Sequence, residues 1–218
     1  PMSREEKVGT RAASFALVII LLAGCAGKGD VMPVTLTSKQ KEAPVAAQSG
    51  KNMAAPRVAV VSFDDARSDR TKVGSRRSAW GGDSYFTVPS GSAGEETAQA
   101  FADYLKRKGW QAQYSKTVPT ANGEKPDVVL SGKVLDLAVD AKGGFGSTDL
   151  AARSKLAIHV TNHADGSSIT DTVSHSGTYN VFWFEPQDGE DILSEVLEKN
   201  FERFVLNTKF EDRSLRFR

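Results

Sequence analysis

The thiol of Cys25 and the imidazoles of His159, His163 and His175 are the groups in this 218-residue chain best suited to nucleophilic or metal chemistry. Hydrolysis needs a nucleophile beside a base that a third group orients. No G-x-S-x-G elbow or comparable ordered motif joins these histidines to a serine or aspartate. His159 and His163 fall in a stretch that alternates as a strand does, where four residues span ~13 Å, too far for one metal ion with bonds near 2 Å. Cross-strand pairing with His175 could bring two imidazoles together, but histidines on the surface of a hairpin are the plainer reading. "GGFG" at 143–146 has the glycines of a phosphate loop, yet it lies between two strand-like stretches and precedes no helix. It reads as a hairpin connection. The sequence thus offers no catalytic residue, no metal ligand set and no cofactor site.

Cys25 has a different context. Arg4, Lys7 and Arg11 precede an uncharged run from Ala12 to Ala23, the layout of an export signal. As a helix those twelve residues reach ~18 Å, short of the ~30 Å hydrocarbon core, so a permanent span is not expected. The run closes on Leu22, Ala23, Gly24 and Cys25, which resembles the lipobox of bacterial lipoproteins. The resemblance implies that the chain is cut before Cys25 and that its sulfur carries a diacylglycerol, with further acylation holding it stably to a membrane. In such lipoproteins an Asp after the cysteine favours the inner membrane. Ala26 stands there in this chain and implies the outer membrane, facing the periplasm.

Residues 1–24 hold three of the 28 basic and two of the 27 acidic groups, so the remainder is balanced. That balance argues against a nucleic-acid partner. With one cysteine there is no internal disulfide, and a core must hold the fold together. The 39% hydrophobic and 25% charged content is that of an ordinary folded module. Residues 26–56 lack aromatics and are rich in Lys, Gln, Ala, Ser and Gly. With Cys25 at their head they read as a flexible tether of ~30 Å root-mean-square reach, a brief edge strand at 31–37 being the alternative.

From Arg57 the patterns sharpen. "RVAVVSFDD" suits a strand covered on both faces, and a long loop is expected from Ala66 to Gly91. "SAGEETAQAFADYLKRKGW" predicts a helix, with Ser92 and Glu95 as a capping box, basic residues in the last turn and Gly109 as the stop. Strands are predicted at 111–115, 127–140, 153–161 and 169–181, the last two joined by an Asp165-Gly166 hairpin turn. Asp188 is expected to open a second helix that buries Ile192, Leu193, Val196, Leu197, Phe201, Phe204 and Val205. The order predicts an α+β two-layer sandwich, a mixed or antiparallel sheet with two helices on one face, over residues 57–208, and an unpacked tail at 209–218.

The LAGC site, "FDDAR", the helix ending in "KRKGW" and "SGTYNVFWFEPQDGEDILSEVLEKNFERF" together resemble the YajG-like family of bacterial outer-membrane lipoproteins. The resemblance implies an envelope lipoprotein with no established catalytic residues, whose partner would be another envelope protein. The expected role is a non-enzymatic binding or scaffold module, the alternative a small-molecule or glycan-binding one. Arg76, Arg77, Trp80, Tyr85 and Phe86 are the candidate partner-binding residues, because arginines and aromatics dominate binding hot spots and the expected loop is longer than compact domains usually carry; the equal alternative is that its aromatics fold back as a lid on the domain's own core. A second apolar stretch, Tyr179 to Phe184, has aromatics on both faces, one expected on the core and the other beneath the second helix, availability to a partner being the alternative.

Overall fold

The computed structural model describes residues 29–36, 56–119 and 125–218. Leu22, Ala23, Gly24, Cys25 and Ala26 lie outside them, as does most of the expected tether.

A single long strand organises the molecule. β7 (Val128–Gly143) pairs antiparallel along its length with β8 (Thr148–Asn162), interrupted by a bulge at Leu135, and β8 pairs with β9 (Ser168–Val181). The opposite edge of β7 is shared by three short parallel strands. β2 (Arg57–Val61) takes 128–130, β3 (Asp64–Asp65) takes Lys133 and Val134, and β4 (Gly74–Arg77) takes 139–142. Outside β2 lies β6 (Gln111–Ser115), parallel to it; outside β4 come β5 (Asp83–Thr87), antiparallel, and then β1 (Val31–Pro33), parallel to β5. The result is one mixed nine-stranded sheet.

Strict alternation along β8 sends Leu150, Ala152, Leu156, Ile158 and Val160 to one face, where the second helix covers them, the first helix packing on β2, β6 and β7 beside it. α1 (Ala93–Arg107) starts as expected: Ser92 Oγ accepts from the Glu95 amide at 3.2 Å. Glu95 itself turns away to pair with Lys116 at 3.1 Å. Gly109 ends the element in a left-handed conformation at φ +83°. α2 (Pro186–Asn207) begins two residues before the expected Asp188, which instead sits in the first turn and accepts from the Glu185 amide at 2.7 Å. Phe101 of α1 is the hub of the core, stacked on Phe201 of α2 at 4.7 Å and edge-on to Phe63 and Phe204. The fold is α+β, with sheet and helices in two layers.

Arg67 fills the gap on the β7 edge between β3 and β4. Its guanidinium forks onto Asp65 (Nε to Oδ1 2.9 Å, Nη2 to Oδ2 2.7 Å), while Nη1 donates to the carbonyls of Lys72 (2.8 Å) and Leu137 (3.3 Å). The Leu137 carbonyl would otherwise face the space that no strand occupies.

Three expectations are corrected. The tether is not free from residue 26 to 56: β1 joins the sheet, and Val34 and Leu36 are buried behind it. The long loop is largely the β4–β5 hairpin, since a sixteen-residue β7 offers an edge that even the polar GSRR of β4 can pair with. The tail is folded too: β10 (Thr208–Glu211) and β11 (Ser214–Phe217) form a hairpin. Its turn residues Asp212 and Arg213 both have positive φ, the type I′ pattern usually supplied by Asn or Gly. Leu215 is fully buried, its amide donating to Asn162 Oδ1 at 2.8 Å, and Arg213 pairs with Asp127 at 2.7 Å.

Candidate interaction surface

The five residues expected to bind a partner do not converge. Pairing along β4 and β5 alternates them across the sheet. Phe86 is wholly buried in the core, and Arg76, on the same helix-covered face, lies over the Phe184 ring at 4.4 Å. Arg77 and Tyr85 point the opposite way, Arg77 to Asp83 at 3.2 Å and Tyr85 beneath Lys72. Of the five, Trp80 at the hairpin tip is 89% exposed and the Arg77 side chain is also open to solvent, while Phe86 is core and Arg76 and Tyr85 are half-buried.

The stretch from Tyr179 to Phe184 also departs from expectation. β9 stops at Val181, so strand alternation no longer governs residues 182–184. Phe184 turns back onto Phe86, with ring centroids 6.3 Å apart, and the Tyr179 hydroxyl donates to Glu195 of α2 at 2.5 Å. Phe182 and Trp183 are 82% and 78% exposed. The second helix does not cover them because it starts only at Pro186 and runs back over the sheet.

Trp80, Phe182 and Trp183, with Phe145 at 98%, are the most exposed large apolar side chains among the described residues, and all four lie at one end of the sheet. β4 and β7 are parallel and finish together, with Arg77 opposite Lys142. β8 starts where β9 stops, with Thr148 opposite Val181. Phe145 occupies the β7–β8 turn, closed by the Gly144 amide donating to Ser147 at 2.7 Å. A side chain added at Gly143 would meet the Ala79 amide nitrogen at 2.8 Å, so the Phe145 and Trp80 turns touch. Across β9, β8, β7, β4, β5 and β1 the row of tips extends about 24 Å at ~4.8 Å per strand.

A second surface runs at right angles to that end. Among the described residues β9 pairs only with β8, which leaves a fourteen-residue strand with an open edge. Its uncovered face is a row of Ser168, Thr170, Thr172, Ser174, Ser176 and Thr178, and only Val173 is buried. Proteins usually blunt such an edge with lysine, proline, a bulge or short length. β9 contains neither lysine nor proline, and its register against β8 is unbroken. This surface carried no aromatic or charge signal in the sequence; the period-two hydroxyls from Ser168 to Thr178 were its one trace.

The histidines stay apart. Nδ1 of His159 lies 2.9 Å from Thr170 Oγ1, Nδ1 of His163 lies 2.8 Å from the Pro126 carbonyl, and His175 stands opposite Ser154, five positions along from the partner of His159. Among the described residues no group of three or more His, Cys, Asp or Glu is placed to hold a metal ion. A depression of about 250 Å³ lies between β9 and α2, lined by Leu150, Tyr179, Val181, Asp188, Asp191 and Glu195. That is below the ~300–1,000 Å³ of ordinary ligand pockets, and the loop aromatics do not line it.

No protein-family model matches the chain, and no curated relative is found. Among solved structures the chain is similar to protein XCC0632 from Xanthomonas campestris, of the DUF330 family, at 13% identity and a TM-score of 0.43, covering 80% of this chain and 91% of that one. It is also similar to a PelC dodecamer from Paraburkholderia phytofirmans, at 19% identity and a TM-score of 0.33, covering 69% and 92%. Likeness at this level carries no argument about function.

Proposed function

We propose that this chain is a lipid-anchored periplasmic module of the bacterial cell envelope that binds an extended strand of another envelope protein, as a scaffold rather than an enzyme. The anchor rests on Cys25 and the four residues around it, and the YajG-like resemblance points to the same compartment. The observation that carries the binding role is the outer edge of β9, which no described strand pairs. A row of unpaired amides and carbonyls is a template for strand addition, in which main-chain hydrogen bonds supply affinity.

Site-specific photocrosslinking in intact cells tests it. A crosslinker at Ser174 or Ser176 is expected to capture a discrete envelope protein, while one at Lys106, exposed on α1, captures none. Ser174→Lys with Ser176→Lys, which gives the edge the charge that natural edges use, should abolish capture by a crosslinker at Thr172. Equal labelling from Ser174 and Lys106 would remove the edge as the binding site. Capture of a second copy of this chain would replace the heterologous partner with self-assembly.

A further inference from the structure

The geometry points to a membrane contact made by the domain itself: Trp80, Phe145, Phe182 and Trp183 enter the interfacial layer of the bilayer to which Cys25 is attached. The inference rests on the anchored reading above and adds to it a fixed orientation.

The chain enters the fold at the aromatic end. β1 runs parallel to β5, with Val31 opposite Tyr85, so the residues before it lie level with the start of β5 at the β4–β5 tip. The Tyr85 amide donates to the Asp30 carbonyl at 2.9 Å, and a side chain at Gly29 would collide with the Asp83 carbonyl at 2.0 Å. Gly29 is therefore pressed against the hairpin that carries Trp80. Only Ala26, Gly27 and Lys28 separate it from Cys25, and four Cα steps span at most ~14 Å. Chain length therefore limits an acylated Cys25 to within ~14 Å of Gly29, at the β1 end of the tip row, and the domain cannot be held off at the distance a 31-residue tether would allow. The end of the sheet that must face the lipid is the end where the exposed aromatics gather.

The side chains suit that position. Trp and Phe on turn tips present apolar bodies, and aromatic residues are concentrated where hydrocarbon meets headgroups. In water the same four side chains would be an exposed apolar row that no described element covers. Charge is not the attraction. Arg77 is paired with Asp83, and Lys142 shares the end with Asp30, Asp149 and the carboxylates Glu185, Asp188 and Asp191 near the start of α2. The contact is therefore apolar and insensitive to salt, unlike a polybasic site. It also sets the long axis of β9 along the membrane normal, with the open edge facing sideways into the periplasm.

The three tryptophans make the test internal. Trp110 opens β6 at the opposite end of the sheet, packed on Phe210 at 4.7 Å. Mature protein extracted from membranes is reconstituted into vesicles of phosphatidylcholine and phosphatidylethanolamine whose acyl chains are brominated near the headgroup. Trp110→Phe reports Trp80 and Trp183; Trp80→Phe with Trp183→Phe reports Trp110, and far-ultraviolet circular dichroism checks that both variants fold. Emission from Trp80 and Trp183 is expected to fall about twofold or more, with a blue shift unchanged by salt, while Trp110 is not quenched. Intact mass of the same sample reads the acylation of Cys25. An acylated protein whose Trp80 and Trp183 are not quenched overturns the membrane contact and leaves the anchor standing. An unmodified thiol with quenching on added vesicles removes the anchor and keeps the contact, and neither signal removes both. Shielding of Trp80 and Trp183 by a copurifying protein in place of bromolipid would assign the end to a protein partner and overturn the proposal.

Discussion

Arg67→Ala should be the most damaging single truncation on the β7 edge. The Arg67 side chain is 6% exposed and its partner Asp65 14%. Truncation leaves the Asp65 carboxylate without its cation and the Lys72 and Leu137 carbonyls without their donor. Breaking a mostly buried pair by removing one partner costs about 3–5 kcal/mol. In a domain of this size each kcal/mol moves Tm by about 2–4 °C, so the variant is expected to melt about 6–20 °C lower. Arg67→Lys keeps the charge but loses the fork, and should fall between. Thermal unfolding by circular dichroism measures both, and amide exchange should show β4 and β5 loosening first, because Arg67 ties 72–77 to β7. The pH dependence has a definite sign. Burial raises the Asp65 pKa, but the hydrogen bonds and charge of Arg67 outweigh it, and the folded value lies below the ordinary carboxylate range. The pair's contribution is therefore complete above the unfolded value of ~3.9 and is lost as pH falls through the lower folded value. Melting of Arg67→Ala within about 3 °C of the parent at neutral pH, against the ~6 °C minimum expected, would refute the assignment of Arg67 as the plug of this gap.

Phe101→Ala and Phe201→Ala should each cost about 3–5 kcal/mol in urea unfolding, with a coupling of about 0.5–1.5 kcal/mol in the double-mutant cycle because the rings stack. Asn162→Ala removes the acceptor of the Leu215 amide and the Nδ2 donor to the Leu215 carbonyl (3.1 Å) and is expected to cost about 1–3 kcal/mol, with exchange protection lost at Leu215 before the main sheet opens. Asp165 accepts from the Ser167 hydroxyl and amide, and these bonds hold its pKa down to about 2. Carbon-detected titration should find it ionised well below the ~3.9 of a free aspartate, and Ser167→Ala should move it back up.

The sequence was most informative where local chemistry and periodicity agree. Ser92 and Gly109 mark both ends of α1, the alternation of Leu156, Ile158 and Val160 gives β8 its covered face, and Asp165-Gly166 turns β8 into β9. The candidate surface was only partly legible. Trp80 stands out by residue type and is exposed, while Phe86, equally conspicuous and only a few residues beyond the hairpin tip, is core. A glycine-rich stretch does not reveal that it will pair with a distant strand, and pairing decides which way each side chain points.

By itself the amino-acid sequence determined the two helices, the long alternating strands and the α+β class, because caps, turns and apolar periods act over a few neighbouring residues. Only the tertiary structure decided that one edge of β7 would serve three strands in turn, that 31–36 and 208–217 would fold against partners about fifty residues away, and that four aromatics from three separate turns would share one end. Those outcomes depend on which backbone hydrogen bonds remain unmet once the long hairpins form, a property of the assembled sheet that no local stretch of residues carries.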